Sequence, residues 1–206
     1  QCVKIEPENI LFRQALRGVE MKKYGDNKTG AKMSGMKLMG PRGRIKKARM
    51  SKNWDAIDKA AEDCLAITPW AAQLNAGVGG AARNLEFAAV AAFAYERAVE
   101  CDPQNKQYLR ILAELYEERG DFKLATGVWE RICRLAPMDG EARTRSQQAA
   151  TKQVIDRGGY EGAESSKGGM AAHEVAKRLN IQAGGQGDGC ALYKTDVAEG
   201  GTGGGA

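Results

Sequence analysis

Few residues of this 206-residue chain are of types that do chemistry, and their spacing argues against catalysis. The one histidine, His173, has no clustered partners, and a lone imidazole builds neither a metal site nor a triad. Cys2, Cys64, Cys101, Cys133 and Cys190 are dispersed, with no Cys-x-x-Cys pair. An odd, scattered set reads as small buried hydrophobes in a reducing compartment rather than as disulfides or zinc ligands. Glu62-Asp63 and Glu117-Glu118 are adjacent pairs, so on a helix their carboxylates point about 100° apart and cannot face each other as acid and base. Gly25 to Gly30 and Gly35 to Gly40 echo the glycines of a phosphate loop, but no Lys-Ser/Thr follows Gly40 and no strand precedes either segment. Nucleophile-elbow and His-Glu-x-x-His patterns are absent as well. The expectation is a protein without catalytic residues, metal or cofactor; an enzymatic role would need a domain upstream of Gln1.

Charge carries the directional signal. Between Arg17 and Lys52 stand twelve basic residues against two acids, Glu20 and Asp26, inside a chain of net charge +5. Such a block attracts phosphates or acidic partners and does so with a steep salt dependence. No apolar run approaches the roughly 20 residues that span a bilayer. A soluble, cytoplasmic protein is therefore expected.

These residues must be positioned by something, and the positioning elements announce themselves by a repeat. Pro69, Pro103 and Pro137 are spaced 34 residues apart, and each closes a similar phrase: Cys-Leu-Ala-Ile-Thr-Pro, Ala-Val-Glu-Cys-Asp-Pro and Ile-Cys-Arg-Leu-Ala-Pro. Within 107–118 the residues Tyr108, Leu109, Ile111, Leu112, Leu115 and Tyr116 recur at threes and fours, as one buried helical face demands. Gly120 then ends that helix, and Asp121 is positioned to cap the next, which runs to about Leu135. The reading is a helix–turn–helix unit repeated in phase.

The residues of the third unit, 106–139, resemble the tetratricopeptide repeat family closely: Leu109, Leu112, Ala113, Tyr116, Gly120-Asp121-Phe122, Ala125, Trp129, Ile132 and Pro137 stand in the family's places. The unit 72–105 matches with Val78-Gly79, Ala82, Ala91, Tyr95, Ala98 and Pro103, although Glu86 occupies the inner turn where glycine is usual. The unit 38–71 matches in its second helix, with Trp54, Ile57, Ala61, Cys64 and Pro69. The stretches around Arg44 to Met50 and Asn53 to Asp58 further resemble bacterial repeat proteins. The resemblance implies an all-α solenoid of antiparallel helix pairs, with small residues allowing close approach and Tyr95, Trp129 and Trp54 filling the spaces between neighbours.

The ends complete the expected organisation. Residues 1–37 read as a partial repeat followed by a basic insertion: the tail of an earlier unit through Asn9, an opening helix from Ile10 to about Tyr24, then a loop leading to a helix that starts near Pro41. The array occupies 38–155, in units 38–71, 72–105 and 106–139, with a capping helix over 140–155 introduced by Asp139. Residues 156–182 read as a linker containing a short helix, and 183–206 as a disordered, glycine-rich tail.

In the resembling family, ligands lie in a groove lined by the first helix of each unit. The corresponding positions are Met39, Arg42, Lys46, Arg49 and Met50 in the first unit, and Gln73, Ala76, Gly80, Arg83 and Asn84 in the second. In the third they are Gln107, Arg110, Glu114, Glu117 and Glu118. The resemblance thus implies a binding scaffold whose groove runs from positive to negative, taking an acidic stretch of a partner protein on the first unit and a basic one on the third. Arg42 and Lys46, Gly77, and Gln107 with Ile111 stand where chaperone-tail-binding members place their carboxylate clamp, which argues against that specialisation. The rival expectation is sequence-blind binding of nucleic acid, for instance ribosomal RNA, through the basic 17–52 segment.

Overall fold

A computed structural model of the chain describes residues 2–157, and all of its regular structure there is helical. The short α1 (Cys2–Ile5) and α2 (Ile10–Lys23) precede α3 (Ser34–Met50), α4 (Trp54–Leu65), α5 (Ala72–Asn84), α6 (Ala88–Cys101), α7 (Lys106–Glu118), α8 (Phe122–Leu135) and α9 (Gly140–Arg157). From α3 onward each helix packs on the next, giving the pairs α3/α4, α5/α6 and α7/α8 with α9 laid against α8. The expected linker helix and glycine-rich tail lie outside the described residues.

The period is visible in the backbone itself. Lys52, Glu86 and Gly120 all take the left-handed conformation, with φ of 50°, 63° and 79°. The residue after each sends its amide back to the preceding helix: Asn53 N to Ala48 O (3.0 Å), Phe87 N to Ala82 O (2.9 Å) and Asp121 N to Tyr116 O (2.8 Å). This is the Schellman closure, in which a left-handed residue lets an amide satisfy a carbonyl that the helix end would leave orphaned. Asn53 then caps α4 through Ala56 N at 3.0 Å. Asp121 stands at the equivalent place but its side chain pairs with Arg119 at 3.1 Å instead of capping α8.

Packing between pairs is continuous. Leu38, Ala61, Cys64, Leu65, Leu74, Val78 and Ala94 form one buried cluster that joins α3 to α6, and a larger one runs from Ala82 through Tyr95, Leu109, Leu112 and Trp129 to Ala142 and Ala149. Gly79 is required where α5 meets α6: a Cβ there would lie 2.6 Å from the Tyr95 ring. Trp129 is 1% exposed and its indole N–H donates to Glu117 at 2.6 Å.

Two features of the first 50 residues differ from the sequence reading. Helix α3 begins at Ser34 and carries Pro41 in its interior, so the helix extends about two turns earlier than expected. An interior proline costs about 3 kcal/mol; burial of Leu38, 3% exposed against Cys64 and Leu65, offsets part of that cost. The helix expected over Ile10 to Tyr24 exists, capped by Asn9, but it does not open a unit of the array. It lies instead on the side of α4 and α6, the second helices of their pairs.

Candidate partner-binding groove

Helix α3 inserts only a narrow stripe into the protein: Leu38 and Ala48 are buried and Pro41 and Ile45 half-buried, at spacings of three and four. The residues around that stripe are exposed, and half of them are cationic. On the side facing α5, Arg42, Lys46 and Arg49 rim a cleft of about 340 Å³. Its floor is apolar, made by Ile45 of α3, Ile57 and Ala61 of α4 and Leu74 of α5, with Gln73 and Gly77 on the far wall. No atom lies within 4 Å of where a Gly77 Cβ would be, so that wall is open. Met39 and Met50, 73% and 83% exposed, add adaptable apolar side chains beside the cations.

Among the described residues Arg42, Lys46 and Arg49 have no ion-pair partner, which sets them apart from the other charged residues expected in the groove. Arg83 bridges from α5 to Glu114 (3.1 Å) and Glu118 of α7. Arg110 of α7 pairs with Asp139 and with Glu141 (3.0 Å) at the start of α9, holding the Asp139 carboxyl below its usual range. Glu117 accepts from Trp129 and from Arg145 of α9 at 3.1 Å. The Asn84 amide donates to Gly80 O at 2.8 Å within its own helix. The charges of the second and third units therefore tie neighbouring inner helices to one another, and those of the first unit face solvent.

Cys64 lies under the cleft fully buried, and burial pushes its thiol up, as expected of an inert core sulfur. Among the described residues no cluster of three or more His, Cys, Asp or Glu could hold a metal ion, and no helix is long and apolar enough to cross a membrane.

A second charged constellation, missed by the sequence reading, holds α2 to the array. Arg13, 2% exposed, donates to Asp58 at 2.7 and 2.9 Å and to Glu62 at 2.9 Å. Arg17 bridges Glu62 (3.0 Å) and Glu20, so this member of the basic 17–52 segment is buried and neutralised. Burial pushes the Glu20 carboxyl up to about 7, opposed by Arg17 and helped by repulsion from Glu62. The signal was present: Asp58 interrupts the apolar face of Ile57, Ala61 and Leu65, and an acid in that position demands a cationic partner.

Comparisons with known proteins return only distant structural likenesses. No family model matches the chain, and no curated protein matches it. Among solved structures, the first TPR of Spaghetti (RPAP3), bound to an HSP90 peptide, is 16% identical at TM-score 0.49, covering 58% of this chain and 97% of that one. The TPR2B domain of yeast Sti1 in complex with an Hsp70 peptide is 17% identical at TM-score 0.49, covering 57% and 98%. The Yersinia enterocolitica type III secretion chaperone SycD, in complex with a peptide of the translocator YopD, is 13% identical at TM-score 0.46, covering 58% and 91%. Such values leave the fold resting on the chain's own geometry. Three helix pairs in sequence, a 34-residue period shared by prolines, left-handed turns and closing hydrogen bonds, and a capping helix give the described residues a tetratricopeptide-type helical-repeat fold.

Proposed function

We propose that the chain is a protein-interaction scaffold that takes an acidic segment of a partner protein in the cleft between α3 and α5. The observation that carries this reading is the contrast in charge pairing among the described residues: Arg42, Lys46 and Arg49 surround an apolar-floored cleft without acidic partners, whereas Arg83, Arg110, Glu114 and Glu117 are paired between helices. An unpaired cationic rim over Ile45, Ile57 and Leu74 suits a segment with two or three carboxylates beside one aliphatic side chain. Because the acids of the third unit are already engaged, the proposal rests on the acidic segment alone, and a basic stretch would have to displace Arg83 or Arg145 to dock there.

Titration of a fluorescent peptide carrying consecutive acidic residues next to a leucine tests the reading. The triple variant R42E/K46E/R49E should weaken binding at least tenfold, about 1.4 kcal/mol, and flatten its salt dependence. Equal affinity of the variant and the parent would remove the cleft from consideration.

A further inference from the structure

Helix α3 has a second cationic flank, turned away from the cleft. Residues 27–53 contain nine Lys and Arg and no Asp or Glu. The cleft uses Arg42, Lys46 and Arg49; Lys37 and Arg44 stand two turns apart on the other flank, with Lys47 one turn beyond Arg44. There a separate hollow of about 380 Å³ opens between α3 and α4, ringed by Arg44, Lys47 and Lys59 over a floor of Ala48, Ala56 and Ala60. Arg44 pairs with Asp63 at 3.0 Å and Lys59 with Asp55 at 2.7 Å, but all four side chains are at least 40% exposed, and such pairs exchange readily for another anion. Among the described residues Lys37 and Lys47 have no acidic partner.

We propose that this outer flank of α3 docks the phosphate backbone of a nucleic acid, independently of the peptide cleft. The flank closes the first helix pair, and the end of a solenoid needs polarity for solubility. Polarity alone does not demand one sign of charge: α9, which closes the other end, mixes Glu141, Arg143, Gln147, Gln148, Lys152 and Asp156. A floor made only of alanine offers little apolar area to a stacking helix or a peptide anchor. Two copies meeting through this face would bring like charges together. No aromatic ring is fully exposed among the described residues, so the contact is with phosphates and not by base stacking, and it is sequence-blind.

The test uses the full chain and a 20-base-pair RNA duplex, with fluorescence anisotropy read across a salt series. The variant K37Q/R44Q/K47Q and the cleft variant R42Q/K46Q/R49Q remove the same net charge, so a diffuse field and a local site are distinguishable. A local site predicts that the outer variant loses at least tenfold in affinity and that its log–log salt slope falls by about 2 to 3, while the cleft variant changes the slope by less than about 1. The double variant K37Q/K47Q, which keeps the Arg44–Asp63 pair, should show an intermediate loss with an unchanged melting curve. The proposal is overturned by absence of RNA binding near 100 mM salt, by equal losses in the two triple variants, or by binding of the outer flank to anionic vesicles in place of RNA.

Discussion

At the residue scale, the most consequential side chains are ones that carry charge into the interior. Helix α2 turns Arg13, Arg17 and Glu20 inward and leaves Leu11 and Val19 about two-thirds exposed, an inversion of the usual amphipathic arrangement. This is why its docking was not legible from periodicity: a helical period registers as a buried apolar stripe, and here the buried stripe is ionic. The inversion makes α2 sensitive to protonation. Glu20 titrates at about 7 in the folded protein against an ordinary value of 4.5. Between those two values the folded state holds a proton that the unfolded chain has lost, so stability falls as pH rises through the window. Burial shifts Asp58 in the same direction, and the lowered Asp139 carboxyl acts only below the ordinary aspartate range. Thermal melts should therefore show higher stability at pH 5.5 than at pH 8, and E20Q should abolish most of that difference by losing its dependence on the proton. The same slope in parent and variant would mean that the ionised Glu20 is fully compensated by Arg17.

At the element scale, the sequence carried the array because its defining signals are local. Prolines at one interval, apolar spacings of three and four, and small residues at Gly79 and Ala91 are all read within a few turns of helix. What it concealed was geometry that outvotes preference. Pro41 reads as a helix start, yet Leu38 three residues earlier has a core to enter, and the helix is drawn back to Ser34. The inner turns show the same tension. The turn residue is left-handed in all three units, and only Gly120 is a type that adopts this conformation without cost. Lys52 and Glu86 are held there by the closing bonds to Ala48 and Ala82, against a penalty of about 1 kcal/mol each. K52G and E86G should each raise stability by roughly 0.5 to 1 kcal/mol, and G120A should lower it by a similar amount, as read by urea denaturation. Loss of stability in both glycine variants would show that the side chains of Lys52 and Glu86 contribute more than the strain they impose.

At the scale of the whole molecule, stability is a matter of neighbours, because each helix pair buries its apolar face only against the next. The bridges from Arg83 to Glu114 and from Arg110 to Glu141 join residues that are 31 apart in sequence, too far for pattern to reveal, and they decide which of the expected groove charges remain free for a partner. Their side chains are between 37% and 60% exposed, so each bridge contributes at most about 1 kcal/mol and acts mainly to fix the register of the inner helices. The apolar seam contributes more. Helix α9 brings Ala142 and Ala149, both essentially inaccessible, into the cluster that contains Trp129 and Leu112. Ending the chain before Gly140 would expose that cluster and remove Glu141, a partner of Arg110, and Arg145, a partner of Glu117, together, whereas R110A removes only the bridges. The truncated chain should lose several kcal/mol and gain binding of a hydrophobic dye, while R110A should lose less than about 1 kcal/mol and bind none. The order matters more than the magnitudes: if R110A were as damaging as the truncation, the array would be held by its ion ladder, and the free cations of α3 would have to be read as an unfinished rung of that ladder instead of a site for a partner.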